Sequence, residues 1–174
     1  MHDRATFAEA ARAVAETERP ARVEFVTPFV EAAAHVVQQE CGETVTRGKL
    51  YRVRSPQTSN DVSILIAITG KVAGLVVYSM SQATGAGFAS RMIGEPVAGL
   101  EDPMAQSALA ELANIITGQA GIALERNGYP SDMSPPVLLL GHGSSIATFN
   151  LTRLVVPLVC SFGEFSIDIA IKEA

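Results

Sequence analysis

Apolar residues recur along this chain with two spacings, and the points where the spacing changes mark its elements. From Thr6 to Glu18 an Ala-rich stretch keeps its apolar side chains on one stripe. That predicts a short helix, capped by Thr6 and ended by Arg19-Pro20. A second helix is predicted over Pro28–Cys41, with Thr27 as N-cap, Pro28 in the first helical position and Gly42 as the stop. Alternation then takes over. It predicts one strand over Thr44–Arg54, a second over Val62–Ile68 and a third over Val72–Tyr78, the last two joined as a hairpin through Thr69-Gly70-Lys71. Ser81 caps a helix that reaches Ile93 and stops at Gly94 and Pro96, although Gly85 and Gly87 weaken its pattern. The longest helix opens at Asp102-Pro103 and runs to Arg126, where Asn127-Gly128 and Pro130 end it. Strands over Val137–Leu140, Arg153–Ser161 and Phe165–Ile171 close the chain, with Gly163 turning the last pair.

The order helix, strand, strand–Gly–strand occurs twice, with Gly70 and Gly163 in equivalent places. Hairpin-linked strands among helices predict an α+β fold, long helices covering an antiparallel sheet, built from a pseudo-repeated helix–strand–hairpin unit. Residues 21–174 are expected to form a single domain, with residues 1–20 as a helical extension.

At 174 residues and 48% hydrophobic content, the chain has material for a real core. Its net charge of −5 and its scattered 13 Lys and Arg leave no basic footprint for nucleic acid. No apolar run reaches membrane-spanning length, and the N-terminus lacks the basic start of a signal peptide. A cytoplasmic setting without membrane insertion is expected. Cys41 and Cys160 read as reduced core residues, too few for a disulfide framework.

The chemistry is expected on the longest helix. At about 100° per residue, Ser107, Glu111, Asn114 and Gly118 share a sector of about 60°. Leu109, Leu112, Ile115 and Ile116 form a separate apolar arc. One face thus aligns a hydroxyl, a carboxylate, a carboxamide and bare backbone. Asn is a mediocre helix former, and an interior Gly costs about 1 kcal/mol against Ala. Two explanations fit these residues: a solvated face whose Gly permits close helix packing, or a functional surface.

The spacing Ser107-x-x-x-Glu111-x-x-Asn114-x-x-x-Gly118 resembles the signature of the CheC/CheX/FliY chemotaxis phosphatases, in which Asp or Ser can stand first. A lone Glu-x-x-Asn is frequent by chance, but here the flanking segments agree. Phe25-Val-Thr-Pro28-Phe29 followed by Glu31-Ala32-Ala33, then Leu75-Val-Val-Tyr78-Ser79-Met80-Ser81, then Ser134-Pro135-Pro136-Val137 are similar to CheX-type segments. The resemblance spans residues 23–172.

It implies a protein phosphatase acting on the aspartyl phosphate of a CheY-like response-regulator receiver domain. Asn114 would hold the attacking water and Glu111 would pair with the receiver's active-site Lys, while Ser107 and Gly118 line the partner-binding face. No metal or cofactor of its own is implied; the Mg2+ ion is expected in the receiver. CheC-like relatives can carry two such helices. The first helix here reads Glu31-x-x-Ala34, so one active site per chain is expected and Glu31 reads as a surface charge. The alternative is a non-catalytic module that docks a receiver or a motor-switch component, for which the loop around Pro56-Gln57-Thr58-Ser59-Asn60 and the N-terminal helix offer contacts.

Gly141-His142-Gly143-Ser144-Ser145 lacks Gly-x-Ser-x-Gly and Walker spacing and reads as a turn. His2, His35 and His142 are far apart in sequence; His35 reads as a partly buried structural residue. Met80, Met92 and Met104 read as core or rim positions. A homodimer is expected, because the two final strands, if uncovered, would recruit a strand from a second copy. Pro157 limits which side can pair, since it has no N–H to donate.

Overall fold

The structure, a computed structural model, describes residues 22–54, 57–141, 143–146 and 152–174. The expected helix over Thr6–Glu18 and the whole extension, residues 1–20, lie outside the described residues. Helix α1 spans Val23–Cys41, α2 Gln82–Ile93 and α3 Pro103–Arg126. Strands β1 (Thr46–Arg47), β2 (Tyr51–Val53), β4 (Val62–Gly70), β5 (Val72–Met80), β6 (Ser131–Met133), β7 (Val137–Leu140), β9 (Arg153–Cys160) and β10 (Gly163–Glu173) build one antiparallel sheet. A separate pair joins β3 (Gln57–Thr58) to β8 (Ser145–Ile146).

Along the sheet the order is β1-β9-β10-β5-β4-β6, with β2 also on β9 and β7 also on β4. The two hairpins, β4–β5 and β9–β10, meet at the centre, where β5 pairs with β10 from Met80↔Phe165 to Val72↔Glu173. Each half lends its short strands to the other half's hairpin: β1 and β2 lie on β9, and β6 and β7 lie on β4. This arrangement carries the predicted duplication. Gly70 and Gly163 also share a backbone conformation, φ 131° and 130°, that side chains rarely adopt.

Period-two burial points Val62, Ile64, Ile66 and Ile68 of β4 and Phe165, Ile167, Ile169 and Ile171 of β10 into a single core with all three helices. Buried Asp168 and Arg153 alternate out of that set, and the Arg153 guanidinium bonds the Asp168 carboxylate. Both cysteines are buried and free, and burial pushes the Cys41 thiol up to about 11, out of the reactive range.

Four expectations need correction. Helix α1 starts at Val23, with Arg22 at the N-cap and Pro28 inside it. Burial of Phe25 and Val26 on the face that also carries Phe29 and Ala33 extends the helix past the sequence signal, and Thr27 bonds back to the Val23 carbonyl instead of capping. The single strand over Thr44–Arg54 is two. Register shifts between Arg47↔Leu158 and Tyr51↔Val155, so three residues on one side face two on the other. This bulge falls beside Pro157, whose carbonyl accepts from Gly48 N–H at 2.8 Å. The final strands are not edges: β9 and β10 each have neighbours on both sides. His35 is exposed.

The glycines of α2 have a packing reason. A Cβ on Gly87 would sit 2.7 Å from the Phe162 ring, so the helix lies directly against the β9–β10 turn.

Candidate active site

Helix α3 begins where expected. Asp102 Oδ1 accepts from Met104 N–H at 2.9 Å, and Pro103 occupies the first turn. Ala105, Leu109, Leu112, Ala113, Ile116, Ala120 and Leu124 bury one side of it against α1, α2 and the sheet. Ile115, placed with the apolar arc from sequence, is only half-buried, at the rim of that side.

A buried polar contact fixes the rotation of α3 over the sheet. Thr117 Oγ1 donates to the Ala113 carbonyl at 2.8 Å, which uses its only proton. The 2.8 Å contact between Tyr78 Oη of β5 and Thr117 Oγ1 therefore has Tyr78 as donor. Burial pushes the Tyr78 phenol far above its ordinary value of 10, so it keeps this proton. The sequence hint was Thr117 in the buried phase of the helix, but its partner lies 39 residues away and could not be read.

With the buried side locked, Ser107 and Glu111 face solvent and Asn114 and Gly118 lie half-buried beside them. Among the described residues, no side-chain hydrogen bond or ion pair engages Ser107, Glu111 or Asn114. A carboxylate and a carboxamide one turn apart are thus both available to an incoming group, with Cβ atoms about 5–6 Å apart. Gly118 decides between the two explanations left by the sequence. A Cβ there would meet nothing within 4 Å, so no packing among the described residues requires a glycine. Its helix-weakening cost of about 1 kcal/mol is unexplained by the isolated molecule.

The matching face of α1 carries Thr27, Glu31, Ala34 and Gln38. Glu31 is exposed, as expected, and Ala34 supplies no amide. The other candidates lie elsewhere. Ser59, from the loop with contact potential, is buried and committed: its hydroxyl donates to the Gly141 carbonyl and accepts from Ser144 N–H, both at 3.0 Å. Pro56, His2 and His142 lie outside the described residues. Met80 is buried, Met92 half-buried and Met104 exposed. Among the described residues no group of three His, Cys, Asp or Glu side chains could hold a metal ion, and no helix is long and apolar enough to cross a membrane.

Residues 62–159 match the family described as Chemotaxis phosphatase CheX. The chain is 26% identical over 147 residues to the CheY-P phosphatase CheX of Thermotoga maritima, covering 84% of this chain and 95% of that protein. Its fold is similar to a chemotaxis protein CheX from Desulfovibrio desulfuricans, with TM-score 0.77 and 24% identity over 87% of this chain and 99% of the other. It is also similar to a chain of the CheX–CheY–BeF3–Mg2+ complex from Borrelia burgdorferi, with TM-score 0.73 and 26% identity over 87% and 100% of the two chains.

Proposed function

The chain belongs to the Chemotaxis phosphatase CheX family, and from that premise we propose that it hydrolyses the aspartyl phosphate of a CheY-like receiver domain, Asn114 positioning the attacking water. The observation that carries this reading is the Glu111/Asn114 pair, uncommitted among the described residues, on a helix face whose Gly118 has no packing reason among them.

An acyl phosphate is already reactive, so neither a nucleophile nor a metal from this chain is required. Phosphoryl transfer responds chiefly to positioning and charge stabilisation. A carboxamide can both donate to and accept from a water without changing its own charge, which suits it to hold that water in line with phosphorus. A 100-fold acceleration needs about 2.7 kcal/mol, within reach of one placed amide. Glu111 pairs with a Lys of the receiver and anchors the helix, with Ser107 and Gly118 allowing close approach. The Mg2+ ion of the reaction belongs to the receiver. The Thermotoga relative's name, a CheY-P phosphatase, and the Borrelia relative's complex with CheY support this partner class. The enzyme works in the cytoplasm as a homodimer, with one such face open on each subunit.

Decay of a phosphorylated CheY-like receiver, followed with and without catalytic amounts of the protein, tests the reading. Excess substrate should be cleared; a binding module would stop at stoichiometric effect. Asn114→Ala should abolish the acceleration and leave the thermal transition unchanged, because the side chain makes no hydrogen bond among the described residues. Full activity in that variant removes Asn114 from the mechanism.

A further inference from the structure

We infer that Met104 and Ile122 are the two apolar anchors that hold the receiver domain along α3 and set the affinity for it. This rests on the reading above, since the partner is the domain that presents its phosphate to Asn114.

Met104 is 58% and Ile122 46% exposed, large apolar side chains on a helix that otherwise buries its apolar residues. Isolated exposed apolar residues are ordinary, but these two are not independently placed. They stand 18 residues apart, about five full turns, so they share one azimuth on α3. That azimuth is about 20° from Glu111 and about 40° from Gly118. Half-buried Ala108 and Ile115 continue the same row between them. An apolar row thus runs beside the polar row Ser107, Glu111, Asn114 and Gly118, with an anchor beyond each end.

The adjoining Glu111 and Asn114 pair names the occupant, and length agrees with it. The anchors lie about 27 Å apart along the helix axis, nearly the diameter of a small domain. A surface of about 800 Å², typical for one side of a specific protein–protein interface, has that breadth. A globular receiver can touch both ends while its phosphate site sits over Glu111 and Asn114. Among the described residues little obstructs that surface, because Cβ positions at both Gly118 and Gly121 meet nothing within 4 Å.

Steady-state dephosphorylation of a phosphorylated CheY-like receiver by the full chain tests this. Met104→Ser and Ile122→Ser should each raise KM about tenfold with kcat within twofold, and Met104→Leu and Ile122→Leu should restore KM. Asn114→Ala should lose kcat instead, which separates anchoring from chemistry. A wild type that is active, with both Ser variants within twofold in KM, overturns the inference and leaves the proposed function standing. So does a shift in light-scattering mass with unchanged KM, which would assign the row to a second copy of this chain. If the wild type accelerates no receiver, the proposed function fails. Affinity for a beryllofluoride-loaded receiver then decides: a tenfold loss in the Ser variants supports the anchors, and unchanged affinity or no binding overturns them.

Discussion

Single side chains differ here in what their removal should change. In the proposed reading Asn114 would place the water, whereas Glu111 would offer a full charge to the partner. Glu111→Ala should therefore weaken receiver association, seen as a raised KM, more than it slows the bound complex; unchanged affinity with lost turnover would move Glu111 into the chemistry. A second carboxylate acts on stability instead. Glu43, just after α1, accepts from Ser161 N–H at 3.1 Å and lies 3.9 Å from the Arg91 guanidinium. Its hydrogen bonds to Ser161, with help from Arg91, hold it below its ordinary value of 4.5. A depressed folded value means stability that is present above about 4.5 and is lost as pH falls through the folded value. Urea unfolding between pH 5 and pH 3 should thus show a shallower pH slope in Glu43→Gln; identical slopes would dismiss the contact. That Glu111 and Asn114 share an outer face of α3 was legible because helical spacing alone fixes it. Glu43 was not, because its partner is 118 residues away in sequence and depends on the closed sheet.

At the scale of elements, α3 is aimed by what lies behind it. Thr117→Val should leave the buried Tyr78 hydroxyl without an acceptor and cost about 1–3 kcal/mol, whereas Tyr78→Phe removes a donor whose partner keeps its bond to Ala113 and should cost about 0.5–1.5 kcal/mol. Urea midpoints rank the two variants, and equal losses would mean the contact does not set the helix. Boundaries marked by local chemistry read correctly from sequence. Ser81 and Asp102 cap α2 and α3 through their own side chains, and Gly42 and Gly94 adopt left-handed stops at φ 68° and 86°. The start of α1 did not, because burial of Phe25 and Val26 outweighs the Thr27-Pro28 signal. Likewise the alternation over Thr44–Arg54 gave no sign of a bulge, which is set by Pro157 on a strand more than a hundred residues later.

For the whole molecule, the sheet ends in unlike edges. One includes β2, with exposed Arg52 within it and exposed Arg54 just after it, charges that discourage pairing; the other includes β7, where Val137 is 61% and Leu140 37% exposed. The proposed homodimer should therefore join at β7, and light scattering at micromolar concentration should give about twice the 18.3 kDa chain mass, falling to the single-chain value in Val137→Lys. A wild-type mass near 18.3 kDa would falsify the assembly. The short strands that each half lends to the other have a kinetic consequence. While the chain emerges from the ribosome, β1 and β2 have no sheet to join until β9 appears, and the outer edge of β4 stays open until β6 and β7 arrive. The pairing of β5 with β10 waits for Phe165 to Glu173. The first half should thus leave the ribosome unfinished, with the apolar side of α1 still wet, and become protease-resistant only after its C-terminal strand is released.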